Sequence, residues 1–363
     1  MRRREKEGMK EGMKEGMVME TRIGWKAGPE QYPPQELLDY AVAAEAAGFE
    51  SIDASDHFHP WSEEGQASFI WSWLGAAAAR TSVIELGTGL TAPIVRYHPA
   101  VIAQAAATMG ALAPGRFYLA VGTGEALNEY AATGEWPGYT ERQERLGEAI
   151  SLIRALWTGQ PVTWEGVYYQ TRKARLYTLP PKPVPLYVSA MVPESATFAG
   201  EHGDGLLTVG GEEPDVYKSI MTNFEQAARK AGKNPATMPR LVELTVGYAE
   251  DPQAEIAEYM KYWAGASIPA MYDQKLYTPT MSQKNGAVVG AEVVKRKGIF
   301  SAKPDEHVAF LRKYSDLGFT GLYLHYAGPD QKGFLQWYGR EVLPRMRDQR
   351  HGADAAQREP ALR

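Results

Sequence analysis

Residues 49–61 read FESIDASDHFHPW, a half-apolar run that stops abruptly in an acid, two histidines and an indole. Residues 51–54 have the length and composition of a short strand. Just beyond them, Asp56, His57, His59 and Trp61 make up the reactive cluster that a strand delivers at its carboxyl end. A second run, RFYLAV at 116–121, ends the same way in Gly122, Thr123, Gly124 and Glu125. Ligands of parallel α/β proteins sit at the carboxyl ends of the strands, so two such endings point to one shared pocket and to an enzyme.

Outward from these two runs, extended and helical patterns alternate along the chain. Strands are predicted at 21–25, 51–54, 83–86, 117–121, 186–189, 205–208, 241–248 and 321–325, and i, i+3, i+4 apolar spacing marks helices such as 35–47, 100–112, 142–156 and 216–231. Length alone, 363 residues, allows about two domains. Eight strand–helix units are the number that closes a barrel, whereas an open doubly wound sheet leaves two units unplaced. The fold class expected is therefore α/β, a single (β/α)8 TIM barrel over residues 20–350 with insertions on its C-terminal face.

Two segments break the rhythm. Residues 159–185 contain TWEGVYYQ and PPKPVP, which predict a hairpin and then a stiff connector. Residues 264–299 form a longer interruption of the kind that is usually functional, and they carry Lys275, Lys284, Lys295, Arg296 and Lys297. The first nineteen residues contain three KEGM tetrads and are expected to be a disordered low-complexity tail, with Met17 or Met19 as an alternative start; 351–363 are read as a C-terminal tail.

Composition narrows the function classes. The chain has no cysteine, which removes disulfides and thiolate metal sites and fits a reducing, cytoplasmic compartment. A formal charge of −5 gives no general attraction to nucleic acid or anionic lipid, so an anionic ligand must be held by local cations. No apolar stretch approaches the roughly 20 residues that span a bilayer.

The His57/His59 pair, spaced i, i+2, would share one face of an extended strand and could chelate a metal, but of the other histidines only His325 falls at a predicted strand end; no metal is expected. Asp56–His57 reads equally as an acid–base pair, the carboxylate orienting the imidazole, or as a helix cap beside a buried histidine. Gly122-Thr-Gly124-Glu125 lacks the third glycine of a dinucleotide fingerprint, because position 127 is leucine. Glu125 is either a catalytic acid or a helix N-terminal charge.

DHFHPW (56–61), RYHPAVIAQAAATMG (96–110), PGRFYLAVGTGEALNE (114–129) and GWKAGPEQY (24–32) closely resemble the deazaflavin-dependent glucose-6-phosphate dehydrogenases of the luciferase-like barrel superfamily, which use coenzyme F420. The resemblance runs from about residue 20 to residue 347. It implies that Asp56, Thr123, Gly124 and Asn128 contact the cofactor, that Gly89 and Leu90 share a non-prolyl cis peptide behind its ring, and that Ala190, Met191 and Val192 lie at its phosphate with backbone donors available. It implies a catalytic set of His57, Trp61, Glu30 and Glu125, with His57 withdrawing the C1 hydroxyl proton as hydride leaves and Glu125 supplying a proton near the deazaflavin N1.

The same resemblance places Thr208, Lys275, Arg296 and Lys297 around the substrate phosphate. A third lysine of the family is replaced by Gly211, which is expected to leave that side looser. Deazaflavin-dependent secondary alcohol dehydrogenases share His-Phe-His-Pro-Trp and form the alternative; the cations at 275 and 297 favour a sugar phosphate. A luciferase-like FMN monooxygenase is a further reading, and a homodimer is implied.

Overall fold

The computed structural model describes residues 19–347, so the expected tails lie almost wholly outside the described residues. Eight parallel strands close a barrel: β1 (Arg22–Ala27), β2 (Ser51–Ala54), β3 (Glu85–Thr88), β4 (Phe117–Val121), β7 (Leu186–Ser189), β8 (Gly205–Val209), β9 (Arg240–Gly247) and β11 (Gly321–His325), with β8 paired to β9 and β11 back to β1. Each predicted strand is one of these eight. Between β4 and β7, β5 (Val162–Glu165) and β6 (Gln170–Ala174) form the antiparallel hairpin expected from TWEGVYYQ. The two-residue β10 (Ile299–Phe300) extends the edge of β9.

Helices coat the barrel, and several begin with proline in the first turn, among them Pro34–Ala47, Pro99–Leu112, Pro193–His202, Pro214–Lys230 and Pro304–Asp316. Proline's fixed φ suits that position, where its missing N–H has no intrahelical acceptor. Leu37, Ala41 and Ala44 of the first helix face a large apolar shell with Ile23 and Ile52 of the strands.

Strand alternation sorts the barrel's own residues. Registers Leu207↔Leu241, Gly321↔Leu241, Gly24↔Tyr323 and Gly87↔Tyr118 put one set on the inner face. Tyr118, Tyr187, Leu207, Leu241 and Tyr323 fill the barrel's middle as a separate apolar cluster. Two residues further along the same faces lie Lys26, Asp53, Val209, Glu243 and His325, nearer the C-terminal mouth.

The long interruption is not a loop. Residues 264–299 fold into short helical pieces, Ala264–Ser267, Ala270–Asp273, Pro279–Gly286 and Ala291–Lys297. Their apolar residues Met271, Val289 and Val294 join Trp61, Leu127 and Trp263 in a second core, which seats the insertion over the mouth. No run there was long enough to announce a helix by periodicity; tertiary burial supplies what local propensity lacks.

Candidate active site

The ends of β2 and β4 meet, as their sequences foretold. His57 is held between two carboxylates, with Nδ1 2.8 Å from Glu30 Oε1 and Nε2 3.0 Å from Glu125 Oε1. Burial works against a charged imidazole, but Glu30 and then Glu125 overcome it and push the pKa of His57 up to about 10. Glu30 is wholly buried, which disfavours its anion, yet the His57 charge outweighs that and lowers its pKa. At rest the site is therefore an imidazolium between two carboxylates.

Asn128 sets the clamp's geometry. Its amide donates to Glu125 Oε1 at 2.7 Å, while its carbonyl accepts from the Phe58 and His59 N–H groups at 2.7 and 3.1 Å. One side chain thus ties both strand ends together. The His57 ring meets Trp61 edge-on at 5.4 Å, and Trp61 meets Tyr272 of the insertion at 6.1 Å, so the cap is coupled to the imidazole through an indole.

Asp56 does not orient His57. Its carboxylate turns the other way, accepting from Thr91 Oγ1 (2.8 Å), Tyr97 OH (3.0 Å) and Trp71 Nε1 (3.3 Å), with Arg96 Nη2 at 3.3 Å. The orienting acid is Glu30, far earlier in the chain. His59 also diverges from His57, its Nδ1 lying 3.2 Å from the Tyr277 carbonyl, because both histidines lie beyond the strand where i, i+2 alternation no longer holds. Among the described residues no group of three or more His, Asp or Glu is placed to hold a metal ion.

The Gly89–Leu90 bond is cis, and the Gly89 carbonyl accepts from Lys26 Nζ at 2.6 Å. Thr123 and Gly124 are half-buried beside the clamp. Gly124 has φ +65°, and a Cβ there would lie 2.9 Å from Glu129 Cγ, so glycine is required both by backbone and by space. Arg96 links this turn to β2, with its backbone N–H donating to Glu129 at 2.8 Å and Nη2 to the Asp56 carbonyl.

Ala190 is buried at the end of β7, with exposed Met191 and Val192 after it. The backbone donors expected to be available at Met191 and Val192 are instead taken by Ser195 Oγ, at 3.0 and 3.1 Å. A hydroxyl at the third helical position has closed that N-terminal turn on itself.

The four residues read for phosphate are not gathered equally. Thr208 shares the outward face of β8 with Leu206, is buried, and directs its hydroxyl at Met191 Sδ, 3.9 Å away; its neighbour Val209 occupies the inward face. Lys275 is exposed, its Nζ 3.8 Å from the centre of the Tyr130 ring. Arg296 and Lys297 end the helix Ala291–Lys297, Arg296 exposed and Lys297 half-buried. Gly211 leaves no open side: with φ +91°, a Cβ there would meet Lys297 Cβ and Cγ at 2.8 Å. Lys297 occupies the space that a longer residue at 211 would need.

Sequence reasoning overlooked Lys26, Asp53 and Glu243, which sit beneath the clamp together with His325, the other histidine at a predicted strand end. The available signal was a charge inside each apolar strand, Lys in RIGWKA, Asp in SIDA and Glu in RLVELTVG, where alternation aims it into the barrel.

Residues 13–321 match the model of the luciferase-like monooxygenase family. An F420-dependent glucose-6-phosphate dehydrogenase of Mycolicibacterium gilvum is 41% identical over 334 residues, 91% of this chain and 99% of the relative. One of Nakamurella multipartita is 42% identical over 328 residues, 90% and 96% of the two chains. Among solved structures, an F420-dependent secondary alcohol dehydrogenase in complex with an F420–acetone adduct superposes with a TM-score of 0.87 at 37% identity, covering 91% of this chain and all of the other. A matched model spanning most of the barrel, together with relatives of this identity along almost their whole length, makes the chain a member of the luciferase-like monooxygenase family.

Proposed function

We propose that the protein is an F420-dependent sugar-6-phosphate dehydrogenase, oxidising C1 of a hexose 6-phosphate to the 6-phosphogluconolactone-type product with formation of reduced F420. The observation that carries this reading is the Glu30–His57–Glu125 clamp at the barrel mouth, in a chain about 40% identical to relatives named F420-dependent glucose-6-phosphate dehydrogenase. The mouth suits a flat ring. Phe58, Met191, Val192 and Val209 leave apolar surface exposed around it, while the Gly122–Gly124 backbone permits close approach. When bound, a deazaflavin supplies a two-electron hydride acceptor at C5. Thr123, Gly124, Asn128 and the Gly89–Leu90 turn are the residues we assign to hold it, with Ala190, Met191 and Val192 at its phosphate end; Asp56 supports them from behind.

Proton management falls to the clamp. With its pKa raised by the Glu30 and Glu125 carboxylates, His57 is protonated at rest and is not a ready base. A proton shift across the 3.0 Å from Nε2 to the Glu125 carboxylate changes both partners at once. Nε2 can then take the proton of the C1 hydroxyl, Nδ1 keeps its own proton against the Glu30 carboxylate, and Glu125 carries the proton received from Nε2 at the mouth. Trp61 fixes the plane of the imidazole. Lys275, Arg296 and Lys297 are the cations we assign to the substrate phosphate.

The solved alcohol dehydrogenase favours a second reading, oxidation of a secondary alcohol. A substrate panel with oxidised F420, monitored by loss of its visible absorbance, separates the two. Turnover of hexose 6-phosphates supports the proposal; oxidation of 2-propanol with none on any sugar phosphate selects the alternative. Submillimolar FMN binding without F420 binding would refute both. A homodimer in the cytoplasm completes the proposal; light scattering measures the assembly.

A further inference from the structure

Beneath the clamp, the upper layer of the barrel interior is charged. Lys26 Nζ lies 3.1 Å from Glu243 Oε2 and 3.6 Å from Asp53 Oδ1, and His325 Nδ1 lies 3.6 Å from Glu243 Oε1. Three members are sealed: the side chains of Lys26, Asp53 and His325 are 2, 0 and 4% exposed. Glu243 is 24% exposed. Below it the barrel is plugged by Tyr118, Leu241 and Tyr323, each essentially inaccessible, so the open side of Glu243 faces the mouth.

Its surroundings fit a substrate wall. Val209, its register partner on β8 and on the same inward face, is likewise exposed, and two residues later Gly211 packs under Lys297. The Gly210 N–H donates to the Glu243 carbonyl at 2.7 Å, which fixes β9 to that turn. On the other flank Lys26 reaches Gly89 O behind the clamp. Glu243 thus lies between the end where C1 is oxidised and the end where Lys297 is placed. A carboxylate braced by a buried cation keeps its acceptor lone pairs aimed in one direction, the requirement for recognising a hydroxyl on a ring.

We propose that Glu243 is a specificity-determining residue that accepts a hydrogen bond from a ring hydroxyl of the sugar between C1 and the phosphate. A simple alcohol has no hydroxyl to offer it. The inference rests on the sugar-phosphate reading above.

The test is a cycle of enzyme and substrate changes. Steady-state kinetics with F420 are measured for the wild type, Glu243→Gln and Glu243→Asp, on glucose 6-phosphate and on its 2-, 3- and 4-deoxy analogues. Glu243→Gln should lower kcat/KM for the parent sugar about 10- to 100-fold, the scale of losing one charge-assisted hydrogen bond. On one deoxy analogue the two enzymes should agree within about 3-fold, because the partner hydroxyl is already gone. F420 affinity should be unchanged. Should Glu243→Gln fail to fold, Glu243→Asp retains the charge that braces Lys26 and must by itself lose activity on the parent sugar and match the wild type on one deoxy analogue. Equal losses on all four sugars, with the wild type active, overturn the role of Glu243 and leave the function standing; a wild type inactive on every hexose 6-phosphate overturns both.

Discussion

Glu30→Gln removes the buried carboxylate from His57 Nδ1 while keeping its shape. The rise of the imidazole from 6.5 to about 10 amounts to about 5 kcal/mol in favour of the charged form, at about 1.36 kcal/mol per pH unit. Burial opposes that rise, so the two carboxylates together contribute more than the net, the charge of Glu30 being the largest single favourable cause. An opposite charge at such a distance is worth roughly 1–3 pH units, and removing Glu30 should lower the His57 midpoint by at least about 2. Nitrogen-15 NMR of the histidine rings against pH reads this directly. The wild-type ring should stay protonated through pH 9, and the variant should titrate below about 8. A raised pKa stabilises the fold fully below 6.5, and that contribution is lost as pH climbs through about 10. Wild-type resistance to urea should therefore decline over that window, and the variant's decline should be shallower. A wild-type ring that is neutral at pH 7, or a midpoint shared by both proteins, would refute the clamp as the origin of the shift.

His57→Ala should cut turnover by about 10²-fold or more with F420 affinity nearly intact, as measured by steady-state rates and fluorescence titration. Lys275→Ala and Lys297→Ala should each raise KM for a hexose 6-phosphate about 10- to 100-fold with a smaller change in kcat; unchanged KM values would remove the phosphate role. Gly211→Ala meets Lys297 at 2.8 Å in a left-handed backbone, and should cost about 1–3 kcal/mol in chemical denaturation while raising KM through displacement of Lys297; a neutral effect on both would show that this turn yields freely.

Several site residues were legible because they are local. His57 and Glu125 come directly after short strands, and a parallel strand's carboxyl end is where a pocket forms, so SIDASDH and FYLAVGTGE announce their own roles. Alternation assigns Leu206 and Thr208 to the helix-facing side of β8 and Val209 to the inner one, so the register of that short strand is also written locally. Asp56 deceived because adjacency in sequence suggests contact, whereas its carboxylate is taken by Thr91, Tyr97 and Trp71, donors far from it in sequence.

By itself, then, the chain determined eight strand–helix repeats, hence the closed barrel and the end at which its chemistry lies, because apolar periodicity is a local property that each segment carries alone. Only the tertiary structure decided the partners. Glu30 reaches His57 from another strand end, Ser195 takes the donors of Met191 and Val192, Lys297 fills the space over Gly211, and the pieces of 264–299 become helical on a core they share with Trp61. Most of these contacts join segments far apart in sequence, fixed by burial and by closure of the barrel, and no local pattern encodes them.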